Sequence, residues 1–459
     1  MRWFRRPTVW FVSAFLLLAA PLAAGPAPER SGDPDFDEAP PAETMEEQLK
    51  GAQEGMHQQI DEAQANQQEE FARLSERMET QYQQLLQRME TQREQFHQRV
   101  AQQWTDVQDS TDKTWVDYGE KTDARSKVDF EKGEVEIEVL VPVEEVAPGK
   151  GSEAAPDQLD AQQAERLRGL AEEKLRLQTQ RMLAQREEAP APPQPETPAQ
   201  REAPPPPAPA PMPPPHGPAT PPKRPPGGRP VLGGQLRGKG GEAVTAQGSD
   251  KFVKETLAPK MVVDPKLVVG SDGKKRIKVT VKVPMITGHL QVRADRYSPA
   301  IKEQARKLGI DAAMVFAVIH TESAFNPMAR SNAGAYGLMQ LLPKQGAHEA
   351  YRYLYKKETV ITPDYLYEPD NNIALGATYL KILQSSFFGK LKDVENRQVL
   401  SIASYNCGPT RVKKSVVGDR KIDGMSPAQV VALVQERAPQ ETKDYVVRVR
   451  DRMALYRNQ

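Results

Sequence analysis

Cysteine is nearly absent from this 459-residue chain. Cys407 is the only one, which excludes an intramolecular disulfide and any zinc site built on cysteines. The six His are scattered, with no spacing that suits a metal, so neither a metal nor another cofactor is expected. Hydrophobic residues make up only 38% of the chain and aromatics 6%, so much of it lacks the apolar content to pack a core. Net charge is also absent, yet the balance hides an asymmetry. Residues 251–311 hold fourteen Lys/Arg against six Asp/Glu. Such a basic stretch suits an anionic polymer (nucleic acid, anionic lipid or cell wall) and equally a solvated surface.

Long apolar runs are missing, with one exception. Residues 1–6, MRWFRR, are cationic, and residues 9–24, VWFVSAFLLLAAPLAA, end in small residues. This is the pattern of an export signal covering residues 1–24, cleaved after Ala24. The run is short of the roughly 20 residues that span a bilayer. The expected location is the periplasm or cell envelope. No cysteine stands near the cleavage point, so no N-terminal lipid anchor is expected.

Between residues 45 and 107 apolar positions advance by 4, 4 and 3 residues, an 11-residue repeat. One row runs Leu49, Ile60, Phe71, Tyr82, Arg93, Trp104; another Ala52, Ala63, Leu74, Leu85, Phe96, Val107; a third Met45, Met56, Gln67, Met78, Met89, Val100. At about 3.67 residues per turn the stripe predicts a straight or gently right-handed coiled-coil helix over residues 43–110. A narrow stripe must be buried, so self-association or a partner helix along residues 45–107 is expected.

Residues 127–143, KVDFEKGEVEIEVLVPV, alternate apolar and polar positions around a Lys132–Gly133 turn and read as a β-hairpin. A hairpin alone is marginal. Its partners are sought at residues 261–269 and 276–286, where Ile277, Val279, Val281 and Val283 alternate. This predicts a small β-containing domain split between residues 112–147 and 255–290. The insertion holds an amphipathic helix (residues 156–186) and a Pro/Gly-rich disordered linker (residues 187–250). Twenty of the 41 prolines fall in residues 190–230, and such a tract would be extended over about 120 Å at about 3.1 Å per residue.

Residues 292–459 read as an all-α domain, with helices expected at residues 297–308, 312–322, 373–383, 398–405, from Ser426, and at 441–455. In VFAVIHTESAFNPMARSNAGAYGLMQLL (residues 315–342) an apolar run ends in one carboxylate, Glu322. On a helix Glu322 shares a face with Val315, Val318 and Ile319. It is either a buried carboxyl with the raised pKa a general acid needs, or a helix-terminal Glu facing water. His320, about 160° around such a helix from Glu322, is read as structural.

Four motifs stand in register: Glu322–Ser323; Gly337–Leu338–Met339–Gln340; Asn372–Ile373 with Gly376 and Tyr379–Leu380; and Tyr405–Asn406 with Gly408. In order and spacing they resemble the family 1 lytic transglycosylases, over about residues 297–456. The hairpin and the strand at residues 276–286 are similar to the N-terminal domain of the membrane-bound lytic transglycosylase C family, here interrupted by roughly 110 extra residues. The resemblance implies an α+β chain whose all-α domain is lysozyme-like. It implies non-hydrolytic cleavage of the β-1,4 bond between N-acetylmuramic acid and N-acetylglucosamine, leaving 1,6-anhydro ends, with peptidoglycan strands rather than nucleic acid as partner and peripheral association with the envelope.

By the same resemblance Glu322 is the single acid/base, and Ser331 lies near the sugar 2-acetamido group. Met339, Gln340, Tyr405 and Asn406 line the substrate cleft, with Tyr405 supporting the acetamido group or intermediate. The residues are compatible with this chemistry: no Asp or Glu lies between Ser323 and His348, whereas ordinary glycosidases use two carboxylates. Two other readings are a goose-type-like hydrolase on the same fold and a non-catalytic wall-binding scaffold. Cys407 stands where the family usually has Ala or Gly and reads as a small, inert thiol.

Overall fold

The computed structural model describes residues 45–147, 156–187 and 228–457. The expected signal segment and most of the proline-rich tract lie outside the described residues. The chain divides into two compact units, Met1–Arg73 and Leu74–Gln459. No helix among the described residues is long and apolar enough to cross a membrane.

Helix α1 (Met45–Ala101) stops short of the expected residue 110. Trp104 belongs not to a helical stripe but to a turn. Its indole Nε1 donates to Thr122 O at 2.6 Å, and the Arg125 guanidinium lies over its ring at 4.1 Å. With Val100, Tyr118 and Leu140 it forms a small buried cluster. A buried indole needs an acceptor for its N–H, and reaching Thr122 ends the helix.

The repeat itself marks the covered face of α1 from residue 78 onwards. Met78, Tyr82, Leu85, Met89, Arg93 and Phe96 are half-buried and Val100 is buried, while nearly all the intervening positions are exposed. Part of the cover over this stretch comes from the same chain. Met89 packs on the core of the C-terminal helices, and Lys344 pairs with Glu79 at 2.6 Å and lies 4.2 Å over the Tyr82 ring. Farther up the stripe Met56, Ile60 and Leu74 are exposed.

Strands β1 (Thr114–Tyr118), β2 (Ala124–Asp129), β3 (Glu134–Pro142), β4 (Val262–Val269) and β5 (Lys275–Pro284) form one antiparallel sheet of order β1-β2-β3-β5-β4. Strands from either side of the insertion therefore meet, with Ile137 opposite Val281 and Val139 opposite Val279. The period-2 alternation buries all four on the side that takes the inserted helix. That helix, α2 (Ala161–Ala184), starts with an Asp160/Gln163 capping box. It sets Leu167, Ala171, Leu175 and Met182 into the same core. The β2–β3 turn requires glycine: Gly133 has φ +69°, and a Cβ there would strike the His289 ring.

The stretch expected as flexible linker after residue 228 is instead laid down on this core. Val231, Leu232 and Leu236 are at most 1% exposed, and residues 186–187 bridge back to 229–230. Glu187, buried, pairs with Arg296 at 2.6 Å. Val231, Leu232, Leu236 and Val244 anchor it in that core, and the glycines between them let the backbone follow the surface closely.

The C-terminal helices are α3 (His289–Leu308), α4 (Ala312–Ser323), α5 (His348–Tyr355), α6 (Pro369–Ile382), α7 (Val394–Cys407), α8 (Pro427–Arg437) and α9 (Gln440–Tyr456). α3 begins eight residues before the expected Tyr297 and runs through Pro299. α4 is capped by the Asp311 carboxylate on Ala313 N at 2.8 Å. It is buried on every side rather than along one stripe, so the shared face that placed Glu322 is not what distinguishes it. α4 is the axle of the bundle, and Phe316 stacks on Tyr456 of α9 with centroids 5.1 Å apart.

Candidate active site

The buried helix α4 ends abruptly. Ala324 (φ +50°) and Phe325 (φ +59°) both take left-handed backbone, which costs roughly 1–2 kcal/mol for each non-glycine residue. Just before the break, Ser323 Oγ donates to Leu338 O at 2.7 Å and so ties the helix to the following loop. Glu322, half-buried, is the one residue of the last turn that opens outward.

Tyr445 of α9 donates its hydroxyl to Glu322 Oε1 at 2.6 Å. Desolvation by the surrounding protein pushes the Glu322 carboxyl up to about 7, against the Tyr445 hydrogen bond, which favours the carboxylate. The charges of Asp112 and Glu441 raise it further and Lys113 opposes them. Burial holds the Tyr445 and Tyr405 phenols well above 10, and each also feels the Glu322 charge. Both therefore remain proton donors beside a carboxyl that shares its proton with solvent near neutrality.

The loop after α4 is built by local polar closures. Ser331 Oγ accepts from Ala335 N at 3.0 Å, and Tyr336 and Leu341 exchange backbone bonds. The buried Asn372 side chain accepts from Met339 N and donates to Tyr336 O and Leu366 O. Gly337 (φ +74°) sits where a Cβ would collide with Leu366 O and Asn372. Tyr405 of α7 donates to Met339 O at 2.8 Å.

With this geometry in place, residues 299–424 can be compared with known proteins. They match the transglycosylase SLT domain. Residues 79–148 match the N-terminal domain of membrane-bound lytic murein transglycosylase C, a match that begins where the stripe of α1 becomes covered. Curated relatives carrying that name include the protein of Haemophilus influenzae (strain PittEE), 35% identical over 175 residues, 37% of this chain and 49% of the relative. Another, from Yersinia enterocolitica, is 31% identical over 184 residues, 39% and 51% of the respective chains. The chain thus spans about half the length of the curated relatives it matches. Among solved structures, the lytic transglycosylase Slt of Pseudomonas aeruginosa is 32% identical and covers 35% of this chain and 24% of its own, with a TM-score of 0.29.

The matched region does not gather all the residues singled out from sequence into one place. Gln340, Tyr405 and Asn406 line one cavity of about 320 Å³, together with Tyr379, Cys407 and Glu441. Gln340 (φ +46°) presents there a buried Oε1 without a hydrogen-bond partner. Asn406 is oriented by Glu441 and Thr442. Met339 is 0% exposed, and its side chain packs against Gly376 rather than in a cleft; its backbone carbonyl is what Tyr405 reads. Ser331 lines a different cavity, of about 330 Å³, with Arg93, Trp115 and Tyr367. His320 points away from Glu322, onto Tyr456 Oη at 2.9 Å, and desolvation lowers it to about 3. Among the described residues no His/Cys/Asp/Glu cluster could hold a metal ion.

Sequence reasoning missed Tyr445, Asp112 and Glu441. Tyr445 lies beyond the matched residues, on a C-terminal helix whose buried face (Tyr445, Val446, Val449, Met453, Tyr456) was legible as apolar spacing. Nothing in that spacing pointed to Glu322. Asp112 arrives from the sheet side of the chain, 210 positions earlier in sequence. Its backbone carbonyl takes Asn326 Nδ2 at 3.3 Å, beside Arg330 N on Thr111 O at 3.2 Å.

Tyr445→Phe provides a test of the Glu322 environment. A hydrogen bond to a charged group is worth about 1.5–3 kcal/mol. Its loss should move the Glu322 titration upward by about one pH unit. A pH profile of turnover that leaves the alkaline limb in place would contradict the arrangement.

Proposed function

We propose that this chain is a peptidoglycan lytic transglycosylase, cleaving the β-1,4 bond between N-acetylmuramic acid and N-acetylglucosamine without water. The observation that carries the reading is Glu322, a carboxyl raised to about 7 with one oxygen held by Tyr445. The SLT match and the names of the relatives support the substrate class.

In this reading protonated Glu322 donates its proton to the glycosidic oxygen as the C1–O bond breaks, and the N-acetylglucosamine side leaves as an alcohol. The muramoyl acetamido oxygen supports the electron-poor C1. Glu322, now a carboxylate, takes the proton of the muramoyl 6-hydroxyl as that oxygen bonds to C1 and closes the 1,6-anhydro ring. The acid form is restored and no water is consumed. A pKa near 7 suits both proton transfers. Tyr445 steadies the carboxylate between them. Tyr405, Asn406 and Gln340 hold the sugar, with the free Gln340 Oε1 awaiting an N–H or O–H donor. The proposed site of action is the periplasm or envelope.

One observation favours a hydrolase as second reading: the Asp112 charge reaches Glu322 and could serve water activation. Digestion of purified peptidoglycan followed by analysis of the product ends separates the two. 1,6-Anhydro ends support the lyase; free reducing ends, lost in Asp112→Asn, support the hydrolase.

The uncovered stretch of α1, with Met56 and Ile60 exposed, is proposed to self-associate or take a partner helix. Sedimentation equilibrium of the full chain should then show a dimer or larger species, weakened by Ile60→Glu. A monomer at all concentrations would remove self-association.

A further inference from the structure

We infer that the β2–β3 turn clamps the last turn of α4 through two arginines, and that Arg293 is thereby a positioning residue for Glu322. The inference rests on the catalytic reading of Glu322. Carbonyls at a helix C-terminus have acceptor capacity left over. Those on either side of Glu322, His320 O (which also takes Ala324 N) and Ala324 O, are each met by an arginine anchored on the same turn of the sheet. Phe130 O accepts from Arg293 Nη2 at 2.6 Å, and Arg293 Nε donates to Ala324 O at 3.1 Å. The neighbouring Glu131 pairs with Arg452 Nη2 at 2.8 Å, and Arg452 Nη1 donates to His320 O at 2.9 Å. His320 and Ala324 bracket Glu322, each two residues away.

Arg293 is 0% exposed, and its remaining partners are neutral: Gln235 Oε1, Met285 Sδ and His289 Nδ1, with the Phe130 ring 5.0 Å from its Cζ. Burying a guanidinium is costly, and desolvation lowers its pKa to about 9. A neutral residue could fill the space, but none could bridge a sheet carbonyl, an arm residue and a helix-end carbonyl from one planar fork. The arm residue is Gln235, 0% exposed, from the packed stretch after residue 228, and its own carbonyl takes Ile286 N at the exit of β5. The Ala324 methyl sits in the sheet core rather than the helical one. The strained pair Ala324–Phe325 is therefore held from outside, as backbone strain requires. The sheet and the inserted arm set where Glu322 stands.

Arg293→Lys shortens the fork, and Gln235→Leu removes one acceptor far from any bound sugar. Each is compared with wild type by turnover, thermal melting and hydrogen–deuterium exchange over residues 320–326. The expected result is a kcat about tenfold lower, in line with the sensitivity of catalysis to small displacements, with KM within about twofold. Exchange at residues 324–326 should be faster, and the alkaline limb should stay near pH 7, because Arg293 acts by geometry. Gln235→Glu keeps the acceptor and should restore kcat. Unchanged exchange and kcat overturn the clamp, and so does a kcat loss that only follows the unfolded fraction. Wild-type protein without turnover would refute the catalytic reading, while the exchange comparison would still decide the clamp.

Discussion

Glu322→Gln should lower release of soluble fragments from peptidoglycan by at least about 100-fold, the scale expected for removing a general acid. The substitution keeps shape and an acceptor for Tyr445 but has no proton to give. Bond cleavage requires the protonated form, so wild-type kcat/KM should be flat on the acid side and fall as pH rises through about 7, where burial has moved this carboxyl. Activity that survives in Glu322→Gln, or an alkaline limb far from pH 7, would refute Glu322 as the acid, and wild-type protein that releases nothing would leave the chain as a wall-binding scaffold.

The same desolvated carboxyl should weaken the fold at alkaline pH. Its folded pKa, about 7, lies above the ordinary 4.5. Below about pH 4.5 the group is protonated folded or unfolded and costs nothing. As pH rises toward 7 the unfolded chain ionises first and stability falls. Above 7 the loss levels off. The difference of about 2.5 units is about 3 kcal/mol at 1.36 kcal/mol per unit. Glu322→Gln carries no such titration and should be more stable than wild type by about 2–3 kcal/mol at pH 8 and equal to it at pH 4. Denaturant melts at the two pH values test this. Equal stability at pH 8 would mean the carboxyl is better solvated than its packing implies.

These effects and the positioning clamp converge on one helix end. Two left-handed residues, a tyrosine from the last helix and two arginines reaching toward the β2–β3 turn hold Glu322 in place. Catalytic groups kept on rigid, outside-braced backbone are preorganised for reaction, and here the brace includes Gln235 from a segment that composition alone reads as slack.

Local patterns carried a large part of this molecule. The 2-residue alternation in residues 127–143 and 276–286 gave the long central strands, because a half-buried sheet imposes that period on side chains directly. The 11-residue repeat gave the covered face of α1, including Arg93, because a straight helix projects it onto one line. Glu322 stood out as the single carboxylate closing an apolar run. Strand β1, five residues with two buried side chains, was too short to register. The end of α1 depended on the Trp104–Thr122 contact, which no local signal announces.

What the sequence by itself determined was therefore most of the elements, the family resemblance and the candidate acid. The tertiary structure decided its surroundings: that Tyr445 grips Glu322, that Asp112 and Glu441 raise it, that Met339 is core and Ser331 lines another cavity. The physical reason is range. Helix and strand periods arise from neighbours within about four residues along the chain. A carboxyl's pKa and orientation come from groups a few ångströms away in space, here from residues 112, 293 and 445, which no spacing in the chain connects.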